Sequence, residues 1–270
     1  MSAVCLVNGF AGAGLDPQDR GLLYGDGVFR TLRVSGGRPC LWEEQLDRFA
    51  ADAARLGLDF PEASLWRGDL AQLAANLAGG VLKLLLTRGG GQRGYRPPET
   101  PKPCRMLIYD PAPPQSDAWP MAGLNLRLCE LRLGAQPLLA GVKHLNRLEN
   151  VLARAEWNDP AIHEGLLRDE AGRVISGVMS NVLFWRGECL CTPRLDRCGV
   201  AGVTRARLMR LAAAAGHAVR ESEFGLDEVL AADEVMVCNS VIGLHRVARL
   251  GERTWPVPAA STRLRALLDA

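Results

Sequence analysis

The chain has 270 residues, 48% of them hydrophobic, and 32 basic side chains against 30 acidic ones. That length supports one large domain or two modest ones, each with its own core. The near balance of charge excludes a nucleic-acid-binding basic face, an acidic solvating segment and a disordered tail.

The opening stretch MSAVCLVNGFAGAG lacks the charged start and long apolar run of a signal peptide, and no later stretch approaches the length of a membrane span. A cytoplasmic protein without membrane or nucleic-acid partners is therefore expected. Cys5, Cys40, Cys104, Cys129, Cys189, Cys191, Cys198 and Cys238 show no paired C-x-x-C framework, which suits a reducing compartment. Cys189, Cys191 and Cys198 are close in sequence, but no histidine stands in ligand spacing, so no metal is expected.

In chain order, VFRTLRV (28–34) and VLKLLLT (81–87) read as strands, with two helical stretches between them. The first helix, Trp42 to Gly57, sets Leu46, Phe49, Ala50, Ala53 and Leu56 on one face and leaves Asp47, Arg48 and Arg55 off it. Gly57 stands where a helix would end. YDPAPPQSDAWP (109–120) holds four prolines, a density that neither a helix nor a central strand tolerates. It separates an N-terminal α/β domain (1–110) from a C-terminal domain (121–270), with 111–120 as linker. Beyond it, LNLRLCEL alternates, NVLFW and ECLCT flank an Arg186-Gly187 turn, and DEVMVCN reads as a buried strand. Helices are expected from about Asn146 and over Thr204 to Ala215. The mixture reads as a two-domain α/β or α+β chain.

Three lysines stand against 29 arginines. Lys83 lies mid-strand and Lys102 sits between Pro101 and Pro103, whereas Lys143 precedes a helix. Asn146 and Glu149 have the spacing of a capping pair, and Leu148, Val151, Leu152 and Ala155 would form the buried face of that helix. A lysine amine, unlike a guanidinium, can lose its proton and attack a carbonyl. A lysine at a helix start is also an ordinary surface residue.

GVAGVTRARLMRLAAAAG (199–216) places a glycine-rich turn directly before a helix. The unpaired N–H groups of Val203 and Thr204 and the positive end of the helix dipole suit a phosphate there. A threonine at this position also reads as an ordinary helix cap. Asn239 and Ser240 end a strand and are placed to face the same anion, with Arg48 completing the cradle.

YGDGVFRT, QLDRF, TRGGGQRGY, GVKHLNRLENVL, SNVLFW, CTPRLDRCGVAGVTR and ADEVMVCN occur in the order found in fold-type IV pyridoxal-phosphate (PLP) enzymes, which this chain resembles over nearly its whole length. That family contains branched-chain and D-amino acid aminotransferases and the lyases of 4-amino-4-deoxychorismate. RGGGQRGY combined with KHLNRLE resembles the lyase branch. The resemblance implies an N-terminal α/β domain, a C-terminal domain with a barrel-like sheet that carries the lysine, PLP between the domains, and a homodimer.

It further implies that Lys143 holds PLP as a Schiff base and acts as base and acid. Arg48, the Gly202, Val203 and Thr204 stretch, Asn239 and Ser240 bind the phosphate, with Asn181 also in contact with PLP. Arg93 matches a carboxylate-binding position, Arg30 and Arg96 are weaker candidates for the same task, and Tyr24 and Tyr95 line the pocket. His144 is read as a positioning residue. The implied reaction yields 4-aminobenzoate and pyruvate from 4-amino-4-deoxychorismate, the alternative being amino acid transamination. One departure stands out. Aminotransferase relatives carry a glutamate five residues before the asparagine of N-[LV]-F, against the pyridine nitrogen, and here that position is Ser176.

Overall fold

The computed structural model describes residues 3–73, 77–256, 264 and 268. The chain forms two compact units: one runs to Pro114 and includes Val142–Asn146, and the other comprises Gln115–Gly141 and the chain from Arg147 onward. The change at Pro114 to Gln115 falls inside the proline-rich stretch. The lysine segment departs from the expectation of a C-terminal domain that carries it. It belongs to the first unit, because Val142 is wholly buried in that unit's apolar core.

In the first unit β1 (Val4–Val7), β2 (Phe10–Ala11), β3 (Gly27–Ser35), β4 (Arg38–Pro39), β5 (Gly80–Thr87) and β6 (Cys104–Asp110) make an antiparallel sheet. Its order is β2-β1-β6-β5-β3-β4. Strand alternation puts Val28, Leu32 and Val34 of β3 and Leu82, Leu84 and Leu86 of β5 in the core, with Thr31, Arg33, Lys83 and Leu85 half-buried on the other face. The helices are α1 (Arg20–Tyr24), α2 (Trp42–Arg55) and α3 (Ala63–Leu73).

Helix α2 opens with Glu43 and Glu44 and closes with Arg55, each placed favourably for the helix dipole. Gly57, at φ +60°, donates to the Ala54 carbonyl at 3.0 Å and ends it as its sequence position suggested. Leu46, Phe49 and Ala53 are buried, and Phe49 meets the Trp66 ring edge-on at 5.3 Å. Burying a side chain of that size contributes about 1.5–3 kcal/mol. Gln45 and Asp52 are buried on the same helix.

The second unit contains β7 (Leu124–Leu133), β8 (Glu164–Asp169), β9 (Val174–Gly177), β10 (Asn181–Arg186), β11 (Cys189–Pro193), β12 (Ala218–Ser222), β13 (Glu234–Asn239), β14 (Gly243–Leu250) and β15 (Arg253–Thr254). The strand order is β12-β11-β10-β13-β14-β7-β8-β9, with β15 on β14. Its helices are α4 (Leu148–Arg154), α5 (Val203–Ala214) and α6 (Leu226–Leu230). β11 and β12 are parallel, so the chain between them must cross over, and α5 is that crossover. The sheet path is open: β9 lies against β10 with no ladder between them among the described residues. No helix among the described residues is long and apolar enough to cross a membrane.

Helix α4 differs from expectation. It starts at Leu148, and Asn146 and Glu149 do not form a capping pair. The Asn146 amide donates to the Gly25 carbonyl at 3.1 Å, while Glu149 accepts the Gly134 N–H at 3.0 Å. Ala153 is buried, whereas Leu148, Val151 and Leu152 are exposed. Two turns of helix bury one face only, and the small residue takes it.

Candidate active site

The lysine segment is an added edge on β3. The Phe29 N–H donates to the Lys143 carbonyl at 3.0 Å, and the Leu145 N–H donates to the Gly27 carbonyl at 2.9 Å. A bridge pairs Val28 with His144. The glycines of YGDG make this possible. A Cβ on Gly27 would lie 2.5 Å from the Leu86 carbonyl oxygen and 2.7 Å from a Leu145 methyl, and Gly25 has φ +67° against the Asn146 amide. Lys143 is half-buried, with Nζ 4.4 Å from the centre of the Phe29 ring. Lys83 Nζ lies 5.0 Å from the same ring.

Beneath the segment sits Asp52. Its Oδ2 accepts the Lys143 backbone N–H at 2.9 Å and pairs with the Arg30 guanidinium, and its Oδ1 lies 3.1 Å from Arg48 Nε. Arg30 also donates to the Arg48 carbonyl at 3.4 Å. Burial pulls the Arg30 pKa down to about 10 against the opposing pull of Asp52. Arg30 was a candidate partner for a substrate carboxylate; only 2% exposed, it is turned inward onto Asp52 instead. Arg48 keeps about a third of its side chain in solvent.

A second ionic knot fixes the glycine-rich loop. Arg20, buried, donates to Asp26 at 2.8 Å and to the Gly94 and Tyr95 carbonyls at 2.9 Å each. Arg88 grips both oxygens of Asp26 and the carbonyls of Leu56 and Gly57. Burial pushes the Asp26 pKa up, but hydrogen bonds from Arg88 and Arg20 outweigh it and the net shift is downward. On this loop Arg93 is exposed, with no acidic partner among the described residues, and Tyr95 is 84% exposed. Tyr24 meets the Tyr95 ring edge-on at 5.4 Å and its hydroxyl accepts the Gly94 N–H at 3.4 Å, so these three candidates are neighbours.

In the second unit the candidates cluster around the start of α5. No side chain caps that helix, which leaves its first N–H groups directed at whatever lies beyond Gly202. Asn181 spends both ends of its amide on the preceding turn: Nδ2 donates to the Val200 carbonyl at 2.8 Å and Oδ1 accepts the Gly202 N–H at 3.0 Å. A Cβ on Gly202 would overlap Asn181 Oδ1. The buried Thr204 hydroxyl lies 3.1 Å from that of Ser240. Asn239 Oδ1 accepts the N–H groups of Val241 and Ile242, and its Nδ2 holds the Met179 carbonyl. Asn181 and Asn239 thus shape the backbone around the Thr204–Ser240 pair.

Ser176 is buried on β9. Glu164 shapes the turn that follows: it accepts the N–H groups of Gly165, Val178 and Met179 and the Ser180 hydroxyl, all at 2.8–3.2 Å. Burial raises its pKa, opposed by these four donors. Asp52 and Arg20 were not singled out from the sequence. Asp52 did leave a signal, since it stands one helical turn after Arg48 and three residues after the buried Phe49.

The model of the amino-transferase class IV family matches residues 27–250. The chain belongs to that family. It is 36% identical to an aminodeoxychorismate lyase from Vibrio harveyi over 90% of this chain and 89% of that protein. It is 31% identical to a putative branched-chain-amino-acid aminotransferase from Methanocaldococcus jannaschii, over 87% of this chain and 82% of that one. The crystal structure of 4-amino-4-deoxychorismate lyase from Pseudomonas aeruginosa is similar at 44% identity and a TM-score of 0.92, covering 98% of this chain and 97% of that chain. The fold class is that of the fold-type IV enzymes, with mixed α/β sheets.

Proposed function

We propose that this chain is a PLP-dependent lyase that converts 4-amino-4-deoxychorismate to 4-aminobenzoate and pyruvate. The observation that carries the reading is the placement of Lys143. Its main chain is locked into the β3 edge and onto a buried carboxylate, and its amine is held against an aromatic ring. The likeness to lyases of this substrate in sequence and in structure supports the same reading.

The residues fit PLP. Lys143 Nζ is the attachment point. Arg48, the first N–H groups of α5 and the Thr204 and Ser240 hydroxyls take the phosphate, in a cradle whose backbone Asn181, Gly202, Val203 and Asn239 shape. Ser176 would face the pyridine nitrogen. When bound, PLP supplies the electron sink that lets the carbon bearing the substrate's amine give up its hydrogen. The Lys143 amine would take this hydrogen as a proton and return it to the departing enolpyruvyl group. Arg93 pairs with a substrate carboxylate, and Tyr24 and Tyr95 line the approach.

Ser176 favours elimination over transamination. A hydroxyl can bond a neutral ring nitrogen but cannot hold a proton on it as a carboxylate does. Glu164 does not substitute, because both its oxygens are committed to the turn.

We further propose a cytoplasmic homodimer. Eight free thiols favour a reducing compartment. The exposed Leu148, Val151 and Leu152 of α4 form an apolar stripe suited to a second copy. The function is tested by incubating purified, PLP-loaded protein with 4-amino-4-deoxychorismate. Equal amounts of 4-aminobenzoate and pyruvate are expected. Neither product, alongside transfer from D-alanine or a branched-chain amino acid to 2-oxoglutarate, would replace the lyase with an aminotransferase.

A further inference from the structure

Asp52 makes three contacts that belong to three different elements. It sits on α2 one turn after Arg48, takes the backbone N–H of Lys143, and binds Arg30 of β3. The carboxylate is 1% exposed; its Oδ2 takes the Lys143 N–H and the Arg30 guanidinium, and its Oδ1 stands in ion-pair contact with Arg48 Nε. We infer that Asp52 is a positioning residue that sets Lys143 and Arg48 in one fixed relation, with Arg30 as its balancing charge. This rests on the cofactor reading above, in which Lys143 takes the carbonyl end of PLP and Arg48 the phosphate end.

The physical reason is pre-organisation. A ligand anchored at two ends gains from its second anchor only as far as the two anchors are held at the right separation. Arg48 alone, on a half-exposed helix face, would sample many rotamers. Asp52 lies 3.1 Å from its Nε and 2.9 Å from the Lys143 backbone nitrogen, so one rigid carboxylate spans both. Arg30 keeps the buried group from standing as an uncompensated charge.

The test compares PLP with pyridoxal, which lacks the phosphate, in binding to the apoprotein. The ratio of their dissociation constants reads the phosphate anchor, and borohydride fixation at Lys143 reads the other anchor. Two variants are measured: Asp52→Asn, and Arg30→Met with Asp52→Asn, which removes both buried charges together and so guards against unfolding by a lone guanidinium. Folding is checked by thermal midpoint. The expected result in whichever variant folds is a phosphate advantage at least about tenfold smaller than in the wild type, with less fixation at Lys143. A folded double variant that keeps the wild-type ratio and full fixation overturns the positioning role. If the wild type itself shows no fixation at Lys143, the cofactor reading fails and the role of Asp52 falls with it.

Discussion

The two units build their parts of the site from opposite materials. In the first, ion pairs do the fixing: Asp52 with Arg30 and Arg48, and Asp26 with Arg20 and Arg88. In the second, the turn before α5 and the Thr204–Ser240 pair are held by neutral groups, the amides of Asn181 and Asn239 and the two hydroxyls. The difference follows from what each part must hold. A lysine main chain and an arginine offer N–H donors, and a carboxylate satisfies several at once. A phosphate needs donors left over, so its cradle is shaped by groups that turn their acceptors onto the backbone and leave helix N–H groups unspent.

The largest effect is expected from removing the amine. Lys143→Ala should abolish borohydride-fixable PLP and lower turnover at least about a thousandfold, because attachment point and proton carrier disappear together. The fold should survive, since the contacts that hold the segment are made by backbone.

In the second unit Glu164 is a wholly buried carboxyl with four donors. Glu164→Ala leaves those donors without a partner and should cost at least about 3 kcal/mol in chemical denaturation. A loss under about 1 kcal/mol would mean that water replaces the carboxylate and that the turn does not depend on it.

The ionic unit should respond to acid through Asp26. Its pKa in the folded protein lies below the ordinary 3.8. The stability it contributes is therefore present above that value and lost as the pH falls through the folded pKa. Asp26→Asn should lower the thermal midpoint at neutral pH, and the gap from wild type should close as the pH drops below the aspartate range. A gap that is constant with pH would assign the effect to packing. The smallest effect is a change of ratio: Ser176→Glu should raise side transamination of small amino acids relative to lyase turnover. An unchanged ratio in a folded, PLP-loaded variant would separate Ser176 from the pyridine nitrogen.

Much of the fold was legible because strands and helices announce themselves by period. The strands read at 28–34 and 81–87 lie inside β3 and β5, and the turn at Arg186-Gly187 joins β10 to β11. Arginine-rich composition made Lys143 conspicuous. Periodicity misled at α4, where Leu148, Val151 and Leu152 are spaced as a buried face yet lie exposed in the single chain. Nor did spacing show that residues 142–146 leave their sequence neighbours to become an edge of β3, since that pairing joins positions more than a hundred residues apart. Asp52 escaped for a related reason: a charged residue on a helix reads as solvated until its partners, remote in sequence, are in place.

The attachment site is the centre of the account, and the chain's three lysines make it a clean measurement. Holoprotein is reduced with borohydride, digested, and the phosphopyridoxyl-bearing peptide is identified by mass spectrometry. The structure predicts the label on the peptide containing Lys143 alone. A label on Lys83, whose amine contacts the same Phe29 ring, or on Lys102 would contradict it.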